Sequence, residues 1–438
     1  VPGGEGVLRM SNSHDFLTRH TLDALPQWQR EFWAPVTQNL VAEYCWYPDM
    51  YYSTDRAIQT AARPYVVMVD GQPFHYLPAN AVEYNNWDVL DDGSLRRQPN
   101  VPNVHWRCVS RGLTDGIAHV VKHLHDKRLE EAGKFAGALF HMIQDAGSAI
   151  HALEGVDGTD VALLDRLLRP PTDRPDALAG IVVRRNDAIA FEWGDFTPTL
   201  LGTTVSEAVF RFYTVMCTMT RVNRFELVPF VQHIWRDEDD QANACISRMN
   251  RRICAVTADF LYTLTCMACD RFEPADLQSL SSVDMVELEP IHRPYFLPGY
   301  EASPLAADHN IDAEGRKAPL ELSLPGGTRT FERGIGTGCH AEYVLAYDLP
   351  AGVYEYFRGC VGLHARLGRQ GAIDVEIRIG GRPIHNEHFD DSHPATEFEL
   401  PVIGGGMLEL FVRDATGEWS NPHNHVVWAQ PRLIRTPV

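Results

Sequence analysis

The sequence predicts a multi-domain α plus β chain: an all-helical domain over residues 1–285, then a jelly-roll-like β-sandwich domain over 286–438. Three observations predict it. The 438 residues exceed what one ordinary hydrophobic core organises, so two cores are the default. From about residue 14 to 280 apolar residues recur at helical spacing. After "SSVDMVELEPIHRPYFLPGYE" the texture changes to short β-type runs parted by glycine turns.

Taken in order, "SHDFLTRHTLDAL" opens the first helix with His14. "YCWYPDMYY" then sets Asp49 among Trp46, Tyr47, Tyr51 and Tyr52, aromatics that suit a hydrophobic wall or a substrate pocket. The alternation in "PYVVMVDGQPFHYLP" predicts a hairpin turning at Asp70 and Gly71. Stretches 79–104 and 154–187, rich in Pro, Gly and Asp, read as loops. Long amphipathic runs follow in "GLTDGIAHVVKHLHDKRLEEAGKFAGALFHMIQD", "TTVSEAVFRFYTVMCTMTRV" and "MNRRICAVTADFLYTLTCMACDRF". Within them His119, His123 and His125 read as solvated or core-edge positions. The β-type runs, such as "EYVLAYDLPAGVYEYFRGCVGL", "IDVEIRIGGRPIHN" and "MLELFVRDATGEW", recur at the spacing of a sandwich. "GIGTG" lies between two of them with no helix behind it, so it reads as turns and not as a dinucleotide fingerprint.

The formal charge of -19 gives no electrostatic footprint for nucleic acid or an anionic membrane, so nucleic acid is an unlikely partner. No uninterrupted apolar run approaches the roughly 20 residues that cross a bilayer, so no transmembrane segment is expected. "VPGGEGVLRM" shows no charged start followed by an apolar core, so no signal peptide is visible. The nine cysteines are odd in number and scattered, which predicts free, mostly buried thiols; "CMAC" at Cys266 and Cys269 reads as two core positions of a helix. Oligomeric state is left open.

The chemistry concentrates in "HMIQDAGSAIHALEG". His141 and Asp145 stand one helical turn apart, about 40° around the axis, so both can grip one ion. His151 lies about 80° from His141 on a continuous helix and addresses a neighbouring ion unless the chain bends at "AGS". Imidazole with carboxylate is a donor set suited to zinc.

With His14, Asp49 and His75 preceding it in chain order, this segment resembles the zinc-dependent phospholipase C and single-strand nuclease superfamily. The resemblance implies an all-helical fold holding two or three zinc ions. It points to His14 as the first-helix ligand, with His20 as an alternative, and to Asp49 as a bridging ligand and possible general base. It further points to His75 as the loop ligand, with His105 as a competitor; His141, Asp145 and His151 as the core motif; and Glu154 as the late acidic ligand, with Glu192 as the alternative. The chain departs from the family in having no Trp before Trp28, where the family binds one zinc through an N-terminal Trp. The implied substrate is a phosphate ester, a lipid head group or a glycan-linked phosphate, and the implied location is secreted or extracytoplasmic.

The run from "FERGIGTGCHAEYVLAYDLPAGVYEYFRGCVGLHARLG" to "NHVVWAQPRLI" resembles the NPCBM family of carbohydrate-binding β-sandwiches found on secreted sugar-active enzymes. It implies a glycan partner, with His425 and Trp428 as sugar-contacting candidates, although Trp428 at a strand end also suits a core. The places where that family often carries acidic residues read His364, Asn424, His425 and Val427 here, which weighs against a calcium ion. Two rival readings stay open. One is a metal-dependent hydrolase of a non-phosphate carbohydrate-linked or amide substrate; the other is a non-enzymatic glycan-binding protein with structural metals.

Overall fold

The structure, a computed structural model, describes residues 13–69, 72–74, 87–89, 95–97, 104–148, 188–291, 306–312, 314–339, 342–417 and 422–436. These divide into two compact units, one within residues 1–81 and 107–273, the other within 82–106 and 274–438.

The first unit is helical. Helix α1 (Ser13–Asp23), α2 (Gln27–Trp33) and α3 (Thr37–Ala42) lead into a 3-10 turn at Tyr44–Trp46, α4 (Tyr47–Tyr51) and α5 (Arg56–Ala62). Strands β1 (Met68–Val69) and β2 (Gln72–Pro73) pair antiparallel with Val69 opposite Gln72, as the hairpin motif predicts. Helices α6 (Val104–His125), α7 (Leu129–Gly147), α8 (Val205–Trp235) and α9 (Asp239–Cys269) follow.

Helix α7 is the axis of this unit: apart from Lys134, every residue from Ala132 to Gly147 is buried. Its glycines permit that burial. A Cβ on Gly137 would stand 2.6 Å from the backbone carbon of Tyr44, and one on Gly147 would stand 2.4 Å from the Ile253 side chain. The carbonyls left over at the helix end are taken by α8, Thr220 Oγ1 donating to Ala146 O at 2.9 Å and Asn223 Nδ2 to Gly147 O at 2.8 Å. Helix α9 is long and apolar enough to cross a membrane, but most of its apolar stretch is buried inside the helical unit, which the sequence reading of a core helix matches. Cys266 is buried as expected, whereas Cys269, on the last turn of α9, is exposed and not a core position.

The second unit is a sandwich of two antiparallel sheets. It takes α10 (Pro274–Leu280), the short strands β3 (Trp87–Val89), β4 (Leu95–Arg97), β5 (Ser282–Asp284), β6 (Ala306–Ala307), β7 (Asn310–Ile311) and β8 (Lys317–Ala318), and the hairpin β9 (Leu320–Leu324) with β10 (Gly327–Phe331). The main strands are β11 (Gly334–Gly338), β12 (Glu342–Leu349), β13 (Tyr354–Leu363), β14 (Ile373–Ile379), β15 (Arg382–Phe389), β16 (Thr396–Pro401), β17 (Gly406–Asp414) and β18 (His425–Arg435). One sheet runs β16-β13-β18-β11-β6 with β5 also on β18; the other runs β12-β17-β14-β15. Period-two burial drives the pairing: in β14, Ile373, Val375 and Ile377 are buried while the residues between them are not. The boundary expected at 285/286 leaves β5 with the helices, whereas its hydrogen bonds put Val283 opposite Leu433 on β18.

Candidate metal centre

Two short helices and one long helix converge on a buried polar pocket in the helical unit. His14 comes from the first turn of α1, Asp49 from α4, whose first turn carries Pro48, and His141 and Asp145 from successive turns of α7. Asp145 reaches both imidazoles: its Oδ1 lies 3.5 Å from His14 Nε2 and its Oδ2 3.1 Å from His141 Nε2. Asp49 Oδ1 lies 3.5 Å from His141 Nε2. The two histidine rings stack with centroids 3.9 Å apart, and Trp46 meets His14 edge-on at 4.8 Å.

The far side of each ring fixes which nitrogen faces the pocket. His141 Nδ1 lies 2.7 Å from the carbonyl of Cys45, which can only accept, so Nδ1 carries the hydrogen. His14 Nδ1 lies 2.6 Å from Gln144 Oε1, and Gln144 turns its amide Nε2 to Thr18 Oγ1 at 3.0 Å, so here too Nδ1 donates. Both Nε2 atoms are thereby directed at carboxylates. An outer partner that holds Nδ1–H and turns Nε2 inward is how proteins orient metal-binding imidazoles.

Two imidazole nitrogens and two carboxylates are all acceptors, and acceptors face one another only across a cation or a shared proton. The separations suit a metal: four ligands at zinc's bond lengths in a tetrahedron stand about 3.3–3.6 Å apart. One ligand atom each from His14, Asp49 and His141 falls within a 4.8 Å span. Electrostatics tell the same story. Burial works against a charge on His141, but the charges and hydrogen bonds of Asp145 and Asp49 outweigh it and push its pKa up to about 10. Burial, and then the charge on His141, push His14 down to about 4. Burial tends to raise Asp49, yet the hydrogen bond and charge of His141 hold it below the usual carboxylate range. The pocket thus demands one positive charge between its acids.

The structure brings His14, Asp49, His141 and Asp145 together. His75, His151 and Glu154 lie outside the described residues, and His105 sits on α6 with its side chain also outside them. His20 packs against Phe16 and Phe191, at ring separations of 4.3 and 5.1 Å. Glu192 is exposed on the segment before α8. Gln144, Thr18 and the Cys45 carbonyl were not singled out from the sequence. Gln144 alone left a signal there, an uncharged polar residue between His141 and Asp145 in the buried part of α7; the carbonyl left none.

In the sandwich the sugar-contacting candidates are corrected. Trp428 is wholly buried, its Nε1 donating to Tyr343 Oη at 3.2 Å, because its position on β18 faces the space between the sheets. His425 is buried beside Asn310, 3.2 Å from its Oδ1, and burial followed by the neighbouring His364 lowers its pKa to about 4. His364 is likewise internal: its Nε2 donates to Pro319 O at 2.9 Å and its Nδ1 accepts from the Arg366 amide at 3.2 Å.

Residues 299–434 match the family described as NPCBM/NEW2 domain. No curated protein matches the sequence. Among solved structures, the chain is similar to a CBM51 from Clostridium perfringens GH95 in complex with methyl-galactose, at 20% identity over 35% of this chain and 99% of that one, with a TM-score of 0.29. It is also similar to Clostridium perfringens alpha-toxin, at 10% identity over 96% of this chain and 87% of that one, TM-score 0.33. An alpha toxin from Clostridium absonum gives 10% identity over 99% and 96%, TM-score 0.34.

Proposed function

We propose that this chain is a zinc-dependent hydrolase of the phospholipase C type, cleaving a phosphodiester of a lipid head group or a glycan-linked phosphate, with a glycan-binding sandwich following it in sequence. The observation that carries the metal is the convergence of two inward-turned imidazole nitrogens and two carboxylates in one buried pocket. The phosphodiester is supported by the chain order of His14, Asp49, His141 and Asp145, which resembles that superfamily. The glycan partner is supported by the domain match at 299–434.

Zinc held there supplies Lewis acidity to phosphoryl oxygens and lowers the pKa of water. The side chains divide the remaining work. Asp145, with only 5% of its side chain exposed, spans both imidazoles and holds them at fixed spacing. Asp49 has 30% exposed, so it is the carboxylate in reach of an arriving substrate and of solvent; it accepts the proton of the attacking water and can pass it on. Trp46 packs against the His14 ring and helps hold it in place. His75 or His105, with His151 and with Glu154 or Glu192, completes the ligand set in this reading and decides between two and three ions.

Elemental analysis of chelator-free protein, paired with a chromogenic phosphodiester assay, tests this reading. It predicts bound zinc, hydrolysis that chelator removes and zinc restores, and loss of turnover by at least about 100-fold in Asp145→Asn. Folded protein that takes up no zinc contradicts it. The NPCBM match favours one second reading, in which the same cluster cleaves a non-phosphate bond on a glycan; activity confined to glycan or amide panels selects it.

A further inference from the structure

A second histidine and aspartate cluster lies in the sandwich, where neither the proposed hydrolysis nor the domain match assigns anything. A ladder of side chains crosses three neighbouring strands of one sheet. Arg413 on β17 pairs with Asp374 on β14, which pairs in register with His388 on β15. Arg413 Nη2 donates to Asp374 Oδ2 at 3.1 Å, and His388 Nδ1 donates to Asp374 Oδ1 at 2.9 Å. That bond fixes the tautomer, so His388 Nε2 is aimed outward, at Asp390 Oδ2, 3.5 Å away.

Asp390 begins the connection from β15, the edge strand of one sheet, to β16, the edge strand of the other. The connection is folded tightly on the Asp390 carboxylate, whose Oδ1 accepts from the Ser392 amide at 2.7 Å and the His393 amide at 3.0 Å. The turn brings His393 back over the same carboxylate, Nδ1 to Oδ1 at 2.7 Å, with the two histidine rings nearly perpendicular and 5.6 Å apart. One ligand atom each from His388, Asp390 and His393 falls within a 4.8 Å span.

We propose that His388, Asp390 and His393 form a divalent transition-metal site, with Asp374 as the residue that positions His388. Two imidazoles and one carboxylate select a borderline cation such as zinc and not calcium, which wants an all-oxygen set. The carboxylate behind His388 repeats the outer-partner arrangement that orients metal-bound histidine. One protein ligand at the end of β15 and two on the exposed turn after it leave a fourth position to solvent or to an oxygen of a bound partner. An ion here ties the end of β15 to the crossover toward β16. The inference stands apart from the proposed hydrolysis, because it uses none of the residues of the helical pocket.

The test is calorimetric zinc titration of the chelator-stripped 438-residue chain. The wild type should bind one zinc equivalent more than the double variant His388→Ala with His393→Ala. Asp374→Asn should keep that equivalent but raise its Kd by about 10–100-fold. Asp145→Asn, which disables the helical pocket, should leave it in place, so either site can fail without the other. The proposal is overturned if the double variant, folded by circular dichroism, takes up as many zinc ions as the wild type with the same affinities.

Discussion

His141 shows how far a single side chain can be read from its neighbours. Its place one turn before Asp145 was legible in the sequence, because a helix puts positions four apart on one face. Its tautomer was not, because a main-chain carbonyl from Cys45 fixes it and a carbonyl has no residue-specific signal. Two predictions belong at this scale. Replacing Gln144 with Leu removes the acceptor behind His14 and the amide that donates to Thr18, so zinc affinity measured by titration should fall about 10–100-fold. Lost hydrogen bonding should also cost the metal-free protein about 1–3 kcal/mol. The second concerns pH. His141 is raised to about 10, so at neutral pH the metal-free pocket holds a proton that a metal must displace. Zinc affinity should therefore increase as pH rises from 6 toward about 9, and calorimetry in buffers of different ionisation enthalpy should show about one proton released per central zinc near pH 7.5.

Among elements, α7 carries most of the argument. Its apolar run and spacing were enough to predict a helix, and its almost complete burial follows from Ala and Gly positions that let neighbours approach. What the sequence could not supply was the identity of those neighbours, since small residues mark close contact without naming the partner. Gly137 lies against the Tyr44 backbone, one residue from the carbonyl that holds His141. Gly137→Ala should therefore destabilise the helical unit by about 1–3 kcal/mol, seen as a lower thermal midpoint, and should weaken zinc binding as well. A variant with the wild-type midpoint and affinity would show that the contact yields without moving the ligand. In the sandwich the same limit applied to Trp428: alternation places a residue on a face, but only the opposing sheet decides whether that face is covered.

At the scale of the whole chain, the change from helical to strand texture was legible near residue 280, since it is a change of period sustained over many residues. The short strand β5 was not, because three residues carry no period and its pairing with β18 is formed across a long stretch of sequence. Charge is the other property legible at this scale. With a formal charge of -19 the protein should show no salt-dependent retention on single-stranded DNA in a low-salt binding assay, and retention that falls steeply with added salt would contradict that. The central claim is that His14, Asp49, His141 and Asp145 enclose a metal, and crystals grown with zinc, measured on both sides of the zinc absorption edge, test it most directly. The account predicts an anomalous peak about 2.0–2.2 Å from His14 Nε2 or His141 Nε2 and from Asp145; a well-ordered pocket without such a peak would contradict it.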